Sequence, residues 1–114
     1  QVEHLEEVVE SVAIGQKWQD DERVVLFVTL RPDKKLDDDL ISRIKKQIRM
    51  GASPHHVPAL ILQVTDIPRT NNNKISEIAV RDTINGQRVA NTESLANPQS
   101  LEEYAQLANL LKQA

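Results

Sequence analysis

Residues 22–31 constrain the fold more than any other stretch, because they predict a β-strand with apolar residues on both faces. Strict alternation places successive side chains on opposite sides, which divides this run into two apolar sets: Val24, Leu26, Val28 and Leu30, and Val25, Phe27 and Thr29. A strand that is apolar on both faces needs cover on both sides. We therefore expect a central strand in a small, well-covered sheet.

The segments around this strand predict a hairpin followed by a helix. Residues 8–15 are rich in β-branched residues and predict a first strand that ends at Gly15, with residues 16–21 as a polar connection. Two strands joined so closely indicate an antiparallel pair. Residues 37–50 predict a helix with acidic residues at its start and apolar residues at helical spacing: Leu36, Leu40, Ile41, Ile44 and Ile48.

The second half of the chain predicts one more strand and two more helices. Residues 59–65 form an apolar run that predicts a third strand, and residues 75–84 predict a short helix with Ile75, Ile78, Ala79, Val80 and Ile84 on its apolar side. A polar linker over residues 87–98 follows. Ser100 and Glu103 have capping-box spacing for a last helix that reaches about residue 112. The prediction is an α+β fold, a small, mainly antiparallel three-stranded sheet with helices packed on it (ββαβα), plus a C-terminal helical extension.

Composition excludes several functions. The 114 residues suit one domain, and a net charge of -3 gives no general attraction to nucleic acid or to anionic lipid. Aromatic residues are only 3%, too few for a base-stacking surface, and the absence of cysteine is compatible with a cytoplasmic location. No apolar run predicts a membrane span.

The start of the chain predicts a fragment of a longer protein, because the first residue is Gln1 and the first residues already have the spacing of a helix in progress.

The third strand leads into a polar turn that carries one lysine, Lys74, ahead of the next predicted helix. An ammonium on a flexible stem beside a helix N-terminus is suited to meeting an anion on a partner, although a solvated surface charge has the same sequence pattern. The adjacent His55 and His56 point different ways and have no third ligand nearby, so we expect no metal site. We find no catalytic Ser/His/Asp grouping, glycine-rich phosphate loop or HExxH motif.

The run Ile67-Pro68-Arg69-Thr70-Asn71-Asn72-Asn73-Lys74-Ile75 resembles the last core motif of the adenylate-forming acyl-CoA synthetases. That motif is approximately Leu/Ile-Pro-Lys/Arg-Thr-x-Ser-Gly-Lys-Ile/Val, and the resemblance covers roughly residues 1–85. Residues 80–104 are similar to the C-terminal extension of the acetoacetyl-CoA synthetases. The resemblance implies a mobile C-terminal domain over residues 1–86 and an extension over residues 87–114, with the large N-terminal domain that binds ATP and the acyl group absent from this chain.

The resemblance also implies a reaction, in which acetoacetate, ATP and CoA give acetoacetyl-CoA, AMP and pyrophosphate. Lys74 matches the lysine that reaches the substrate carboxylate and the α-phosphate during adenylation, and Arg49 matches a position that contacts the CoA phosphates. A cation that complements the helix dipole explains Arg49 equally well. ATP, Mg²⁺ and CoA would be bound by the complete enzyme rather than by this chain alone, which should be inactive by itself. The expected partners are its own N-terminal domain and these small molecules.

Two residues depart from the motif, and two other functions stay open. Asn72 and Asn73 replace serine and glycine ahead of the lysine. Asparagine tolerates left-handed backbone conformations, so with Thr70 these residues are expected to preserve the turn that supports Lys74.

The alternatives to an acetoacetate ligase are a non-catalytic binding or regulatory module that shares the fold, and a ligase for another short-chain acid, since the acyl pocket would lie in the other domain.

Overall fold

The computed structural model describes residues 7–18, 21–51, 58–89 and 92–113. Three strands and three α-helices follow each other in the predicted ββαβα order with a last helix: β1 Val8–Trp18, β2 Asp21–Leu30, α1 Asp38–Gly51, β3 Leu60–Gln63, α2 Glu77–Ile84 and α3 Leu101–Gln113. Two single-turn 3₁₀ helices, Thr92–Ser94 and Pro98–Ser100, lie between α2 and α3. The predicted α+β class is confirmed. No helix in the described ranges is long and apolar enough to cross a bilayer.

The sheet has the order β1-β2-β3, so the strand with two apolar faces is central, as predicted. β1 and β2 form a long antiparallel pair that extends from Val8↔Leu30 to Trp18↔Asp21. β3 adds a shorter parallel pairing, from Val25↔Leu60 to Val28↔Gln63. The pairing is mainly antiparallel, and β3 is parallel because the chain crosses through α1 before it returns to the sheet.

The two faces of β2 lie in two separate apolar clusters. Val25 and Phe27 pack in the cluster that contains α2 and α3, whereas Leu26 and Val28 pack in the cluster that contains α1. Phe27 also makes an edge-to-face contact with Tyr104, with ring centroids 5.1 Å apart. Helices therefore cover both sides of the sheet, which is what the alternation in β2 required.

The predicted end of the first strand is wrong. β1 continues past Gly15 to Trp18, and Gln16 is buried although the sequence placed it in a polar loop. Its side-chain oxygen accepts a hydrogen bond of 2.7 Å from Nε of Arg23, the residue opposite it on β2. A polar side chain can be buried at low cost when its hydrogen bond is satisfied, and the cross-strand pairing provides that partner.

Two details of the predicted helices are also wrong. Ile78 is 63% exposed rather than part of the buried stripe of α2, which consists of Ala79, Val80 and Ile84. The capping box before α3 does not form. Ser100 donates its hydroxyl to the Asn97 carbonyl oxygen, since a 3₁₀ turn precedes the helix, and Glu103 accepts hydrogen bonds from the backbone N–H and hydroxyl of Thr65 instead. The buried side of α3 consists of Tyr104, Ala108 and Leu111.

Candidate functional site

Lys74 lies at the end of a tight turn that the chain forms after β3. The backbone N–H of Thr70 donates to the Lys74 carbonyl oxygen at 2.8 Å, and the N–H of Asn73 donates to the Thr70 carbonyl oxygen at 2.8 Å. The hydroxyl oxygen of Thr70 accepts a further hydrogen bond from the Lys74 N–H at 3.2 Å. Thr70 thus contacts Lys74 through both its backbone and its side chain.

Asn73 has a φ of 64°, which is the left-handed region that β-branched and bulky residues rarely occupy. Asparagine is among the residues that tolerate this conformation, and it stands where the motif has glycine. Asn72 and Asn73 are both exposed, and the left-handed residue lets the chain reverse so that Arg69 pairs with Ile75 across the turn. The local sequence therefore encodes the reversal that presents Lys74.

α2 begins at Glu77, three residues beyond Lys74 and two residues later than the predicted start at residue 75. The hydroxyl of Ser76 caps this helix by accepting a hydrogen bond from the Ala79 N–H. An acidic residue, Glu77, occupies the first turn. The helix N-terminus is thus already capped by the chain itself, and the positive charge near the turn comes from the lysine side chain.

Arg69 ties the turn to the sheet. Its guanidinium forms an ion pair with the carboxylate of Glu10 on β1 and donates a hydrogen bond of 3.4 Å to the Asn73 carbonyl oxygen. Both side chains of the pair are largely buried, with 22% and 29% of their surfaces exposed. A half-buried arginine that contacts the turn and the strand at once limits the movement of one relative to the other.

Residues 94–97, which we call the strap, pair with the first half of the same turn. The N–H of Asn71 donates to the Ser94 carbonyl oxygen at 3.0 Å, the N–H of Ala96 donates to the Arg69 carbonyl oxygen at 2.8 Å, and Leu95 forms an antiparallel bridge with Thr70. Leu95 is buried, with 7% of its surface exposed. The segment that the sequence predicted as a polar linker therefore adds a short strand-like pairing beside the lysine turn.

Asn97 ends the strap and makes three hydrogen bonds to the segment that leads into the turn. Its amide oxygen accepts from the Arg69 N–H at 2.7 Å, while its amide nitrogen donates to the Ile67 carbonyl oxygen at 3.0 Å and to the Asp66 carboxylate at 2.8 Å. The carbonyl oxygen of Asp66 also accepts a 2.7 Å hydrogen bond from the Tyr104 hydroxyl on α3. These bonds connect the turn to the C-terminal helix.

The Lys74 side chain is exposed at a groove of about 490 Å³ between β1 and the start of α2. The groove is lined by Ser11, Val12, Thr70, Lys74, Ile75, Ser76, Glu77 and Ile78. Within the described part of the chain, no ion pair joins Lys74 to an acidic side chain. The fold therefore fixes the lysine backbone while leaving its charge available to an anion from outside.

Arg49, the proposed CoA contact, lies near the end of α1, on the opposite side of the sheet from α2 and α3. Its side chain lies outside the described part of the structure, as do His55 and His56, so its role stays a prediction.

α1 itself is held by polar contacts at its N-terminal half: the Asp37 carboxylate accepts from the Leu40 N–H at 2.8 Å, and Arg43 pairs with Glu7. The hydrogen bond from Arg43 holds the pKa of the Glu7 carboxyl below its usual range.

No group of three His, Cys, Asp or Glu side chains in the described ranges is arranged to hold a metal ion.

Sequence reasoning missed Glu10 and Asn97, which contact the turn from distant parts of the chain. Asn97 lies 28 residues after Arg69, and no local periodicity or motif marks a contact of that separation. The only available signal was the proline that follows it, which indicates a turn but not its partner.

Comparison with known proteins places this geometry in a family. Residues 2–74 match the AMP-binding enzyme C-terminal domain, and this match covers most of the chain and ends at the exposed lysine. The chain belongs to the family of AMP-binding enzyme C-terminal domains. The family match includes the sheet, α1 and the lysine turn up to Lys74. The strap and α3 lie beyond it.

More similar relatives extend over nearly the whole chain. It is 54% identical to the acetoacetyl-coenzyme A synthetase of Rhizobium meliloti and 40% identical to the acetoacetyl-CoA synthetase of Danio rerio, over 96% of its length in both cases. The solved acetoacetyl-CoA synthetase from Streptomyces lividans matches 96% of the chain with a TM-score of 0.85 and 37% identity. A Brucella canis acyl-CoA synthetase matches 71%, with a TM-score of 0.64 and 26% identity.

The chain is much shorter than these relatives. It spans 17% of the Rhizobium meliloti protein and 16% of the Danio rerio protein. It likewise covers 17% of the Streptomyces lividans chain and 15% of the Brucella canis chain. The similarity therefore concerns one domain of much longer proteins.

Proposed function

We propose that this chain is the C-terminal domain of an ATP-dependent acid–CoA ligase, and that the acid is acetoacetate. The observation that carries the proposal is the exposed Lys74 on a turn fixed by hydrogen bonds, in a chain that is 54% identical over 96% of its length to an acetoacetyl-coenzyme A synthetase. The complete enzyme would convert acetoacetate, ATP and CoA into acetoacetyl-CoA, AMP and pyrophosphate. The larger partner domain would bind ATP, Mg²⁺ and the acid.

In the adenylation half-reaction, the Lys74 ammonium would lie between the acid carboxylate and the α-phosphate of ATP. These two anions repel each other, and one fixed positive charge lowers that repulsion while it aligns the carboxylate oxygen for attack at phosphorus. The carboxylate oxygen forms a bond to the α-phosphorus, and pyrophosphate leaves with the electrons of the broken P–O bond. In this proposal Lys74 acts through its charge alone, which agrees with an exposed side chain that forms no ion pair with an acidic residue in the described ranges.

In the second half-reaction, the CoA thiol would displace AMP from the acyl-adenylate. The proposal assigns Arg49 to the CoA phosphates, because a guanidinium binds phosphate through several donors in one plane. Lys74 has no part in this step. The fold supports this proposed separation of roles, since α1 and the segment that carries Lys74 pack in different apolar clusters, on opposite faces of the sheet.

The decisive experiment substitutes Lys74→Ala in the complete enzyme and measures the two half-reactions separately. We expect acetoacetate-dependent ATP–pyrophosphate exchange to fall by about a hundredfold or more, because a charge aimed at the transition state is lost. Thioester formation from supplied acetoacetyl-adenylate and CoA should stay within about threefold of the parent enzyme, since that step does not use the lysine.

Lys34→Ala provides the matched control, because Lys34 is another exposed lysine in a turn, after β2. It should leave both half-reactions unchanged. Normal exchange in Lys74→Ala would contradict the proposed role. Acetate and other short-chain acids, tested in the same exchange assay, decide the substrate: acetoacetate should support the highest kcat/KM, and a better acid would replace it in the proposal.

A further inference from the structure

We propose that Asn97, through the strap, is a positioning residue for Lys74 in the adenylation step. This inference rests on the function proposed above. It concerns a part of the chain that lies beyond residues 2–74, the range of the family match. Asn97 itself is not placed in contact with substrate, so its effect would be transmitted through the turn.

The lysine turn has few hydrogen bonds of its own. Between residues 69 and 75, the backbone closes through Thr70 and Asn73 and includes one left-handed residue. All three asparagines at its tip are exposed. A short, exposed turn of this kind is held in one conformation only when neighbouring groups restrict it.

The strap supplies that restriction on one side of the turn. Residues 69–71 are paired with Lys74 and Ile75 on one side and with the strap on the other, which makes them the middle of a small three-segment pairing. Leu95, buried in the domain, anchors the strap beneath this pairing. Without the strap, the N–H of Asn71 and the carbonyl oxygen of Arg69 would lose these protein partners.

Asn97 fixes the strap at its far end. One side chain holds Asp66, Ile67 and Arg69 simultaneously, with three hydrogen bonds of 2.7 to 3.0 Å. Its carbonyl oxygen accepts from both the N–H and the hydroxyl of Ser100, which leads directly into α3. A continuous set of contacts therefore connects the buried face of α3 with the backbone that carries Lys74.

The consequence should be specific to adenylation. A displacement of about 1 Å in a group that positions reacting atoms can reduce a rate about a hundredfold. The CoA half-reaction does not require Lys74 and should not depend on the geometry of its turn. An effect confined to the first half-reaction therefore separates positioning from a general loss of stability.

The chain contains a matched control in Asn85. Its amide oxygen accepts from the Lys17 N–H at 2.8 Å, and its amide nitrogen donates to the Gly15 and Arg81 carbonyl oxygens at 3.1 and 2.9 Å. Like Asn97, it makes one accepted and two donated hydrogen bonds. It joins the end of α2 to β1, however, and makes no contact with the lysine turn.

The test compares Asn97→Ala and Asn85→Ala in the complete enzyme. We expect Asn97→Ala to lower kcat for acetoacetate-dependent ATP–pyrophosphate exchange by at least about tenfold. Thioester formation from supplied acetoacetyl-adenylate should stay within about twofold. Asn85→Ala should lower the thermal midpoint comparably and leave both half-reactions within about twofold.

Two further variants make the outcome decisive. Asn97→Gln retains an amide that can both accept and donate, on a side chain one methylene longer, so it should reduce exchange less than Asn97→Ala, and it serves in place of that variant should the alanine protein not fold. Added to Lys74→Ala, Asn97→Ala should cause no additional loss of exchange, because the group it positions is gone.

Unchanged exchange in Asn97→Ala would overturn the inference, and so would equal losses in both half-reactions or losses that multiply with Lys74→Ala. The proposed function is decided separately by Lys74→Ala alone. A large exchange defect in Lys74→Ala with none in Asn97→Ala would keep the function and reject the positioning role.

Discussion

The segment that carries Lys74 and the helix that carries Arg49 are held in different ways. The lysine turn has irregular backbone and depends on hydrogen bonds that involve the side chains of Thr70, Arg69 and the distant Asn97. α1 supplies its own backbone hydrogen bonds and is anchored by apolar side chains such as Leu40 and Ile44. A helix needs only an apolar stripe to be placed, whereas an irregular turn requires specific polar partners that can lie far away in sequence.

Among variants that change how these two segments are held, rather than Lys74 itself, the largest expected effect concerns the left-handed position in the turn. Asn73→Val places a β-branched side chain at a φ of 64° and should cost about 2 kcal/mol, because the two γ-methyl groups crowd the backbone in a conformation that asparagine tolerates. We expect a lower free energy of unfolding and a loss of ATP–pyrophosphate exchange of about tenfold or more.

Asn73→Gly is the control, since glycine adopts this conformation without strain. It should keep both the stability and the exchange rate close to those of the parent. Equal behaviour of the valine and glycine variants, measured by chemical denaturation and by exchange, would show that the left-handed backbone does not matter for Lys74.

An intermediate effect is expected for Arg49 on α1. Arg49→Ala should raise KM for CoA by about tenfold, the equivalent of about 1.4 kcal/mol, through the loss of a charged contact to phosphate. Exchange of ATP and pyrophosphate should stay unchanged. Arg43→Ala, which removes a cation from the same helix together with its ion pair to Glu7, should leave KM for CoA unaltered. A KM for CoA that does not change in Arg49→Ala returns that residue to complementing the helix dipole.

The smallest expected effect comes from Tyr104→Phe, which removes the hydrogen bond to the Asp66 carbonyl oxygen. We expect a loss of about 1 kcal/mol in the free energy of unfolding at neutral pH. Burial raises the pKa of the Tyr104 phenol, and the negative charges of Glu103 and Asp66 raise it further.

The sign of the pH dependence follows from that raised pKa. The phenol stays protonated in the folded state, while in the unfolded chain it ionises near pH 10. Its contribution is therefore complete below pH 10 and decreases as the pH rises above that value. The stability difference between the parent and Tyr104→Phe should shrink above pH 10, as measured by denaturation at pH 8 and pH 11. A difference that stays constant would contradict this account.

Much of the fold could be predicted because its signals are local. The alternating residues of β2 predicted a central strand with cover on both sides, and the helical spacing of Leu40, Ile44 and Ile48 predicted the buried face of α1. The Lys74 turn was recognisable for the same reason. Its motif is contiguous, and Asn73 adopts the left-handed conformation that its side chain tolerates.

The sequence by itself thus determined the element order, the core faces and the turn that presents the lysine. Only the tertiary structure decided that β1 continues through Gln16, that Ile78 is exposed, and that Asn97 holds the turn. These features depend on partners 7 to 31 residues away or on neighbouring elements, and no short-range pattern encodes them. A polar contact of this kind depends on where two distant groups lie in the folded structure. Hydrophobic periodicity, in contrast, can be recognised directly in the amino-acid sequence.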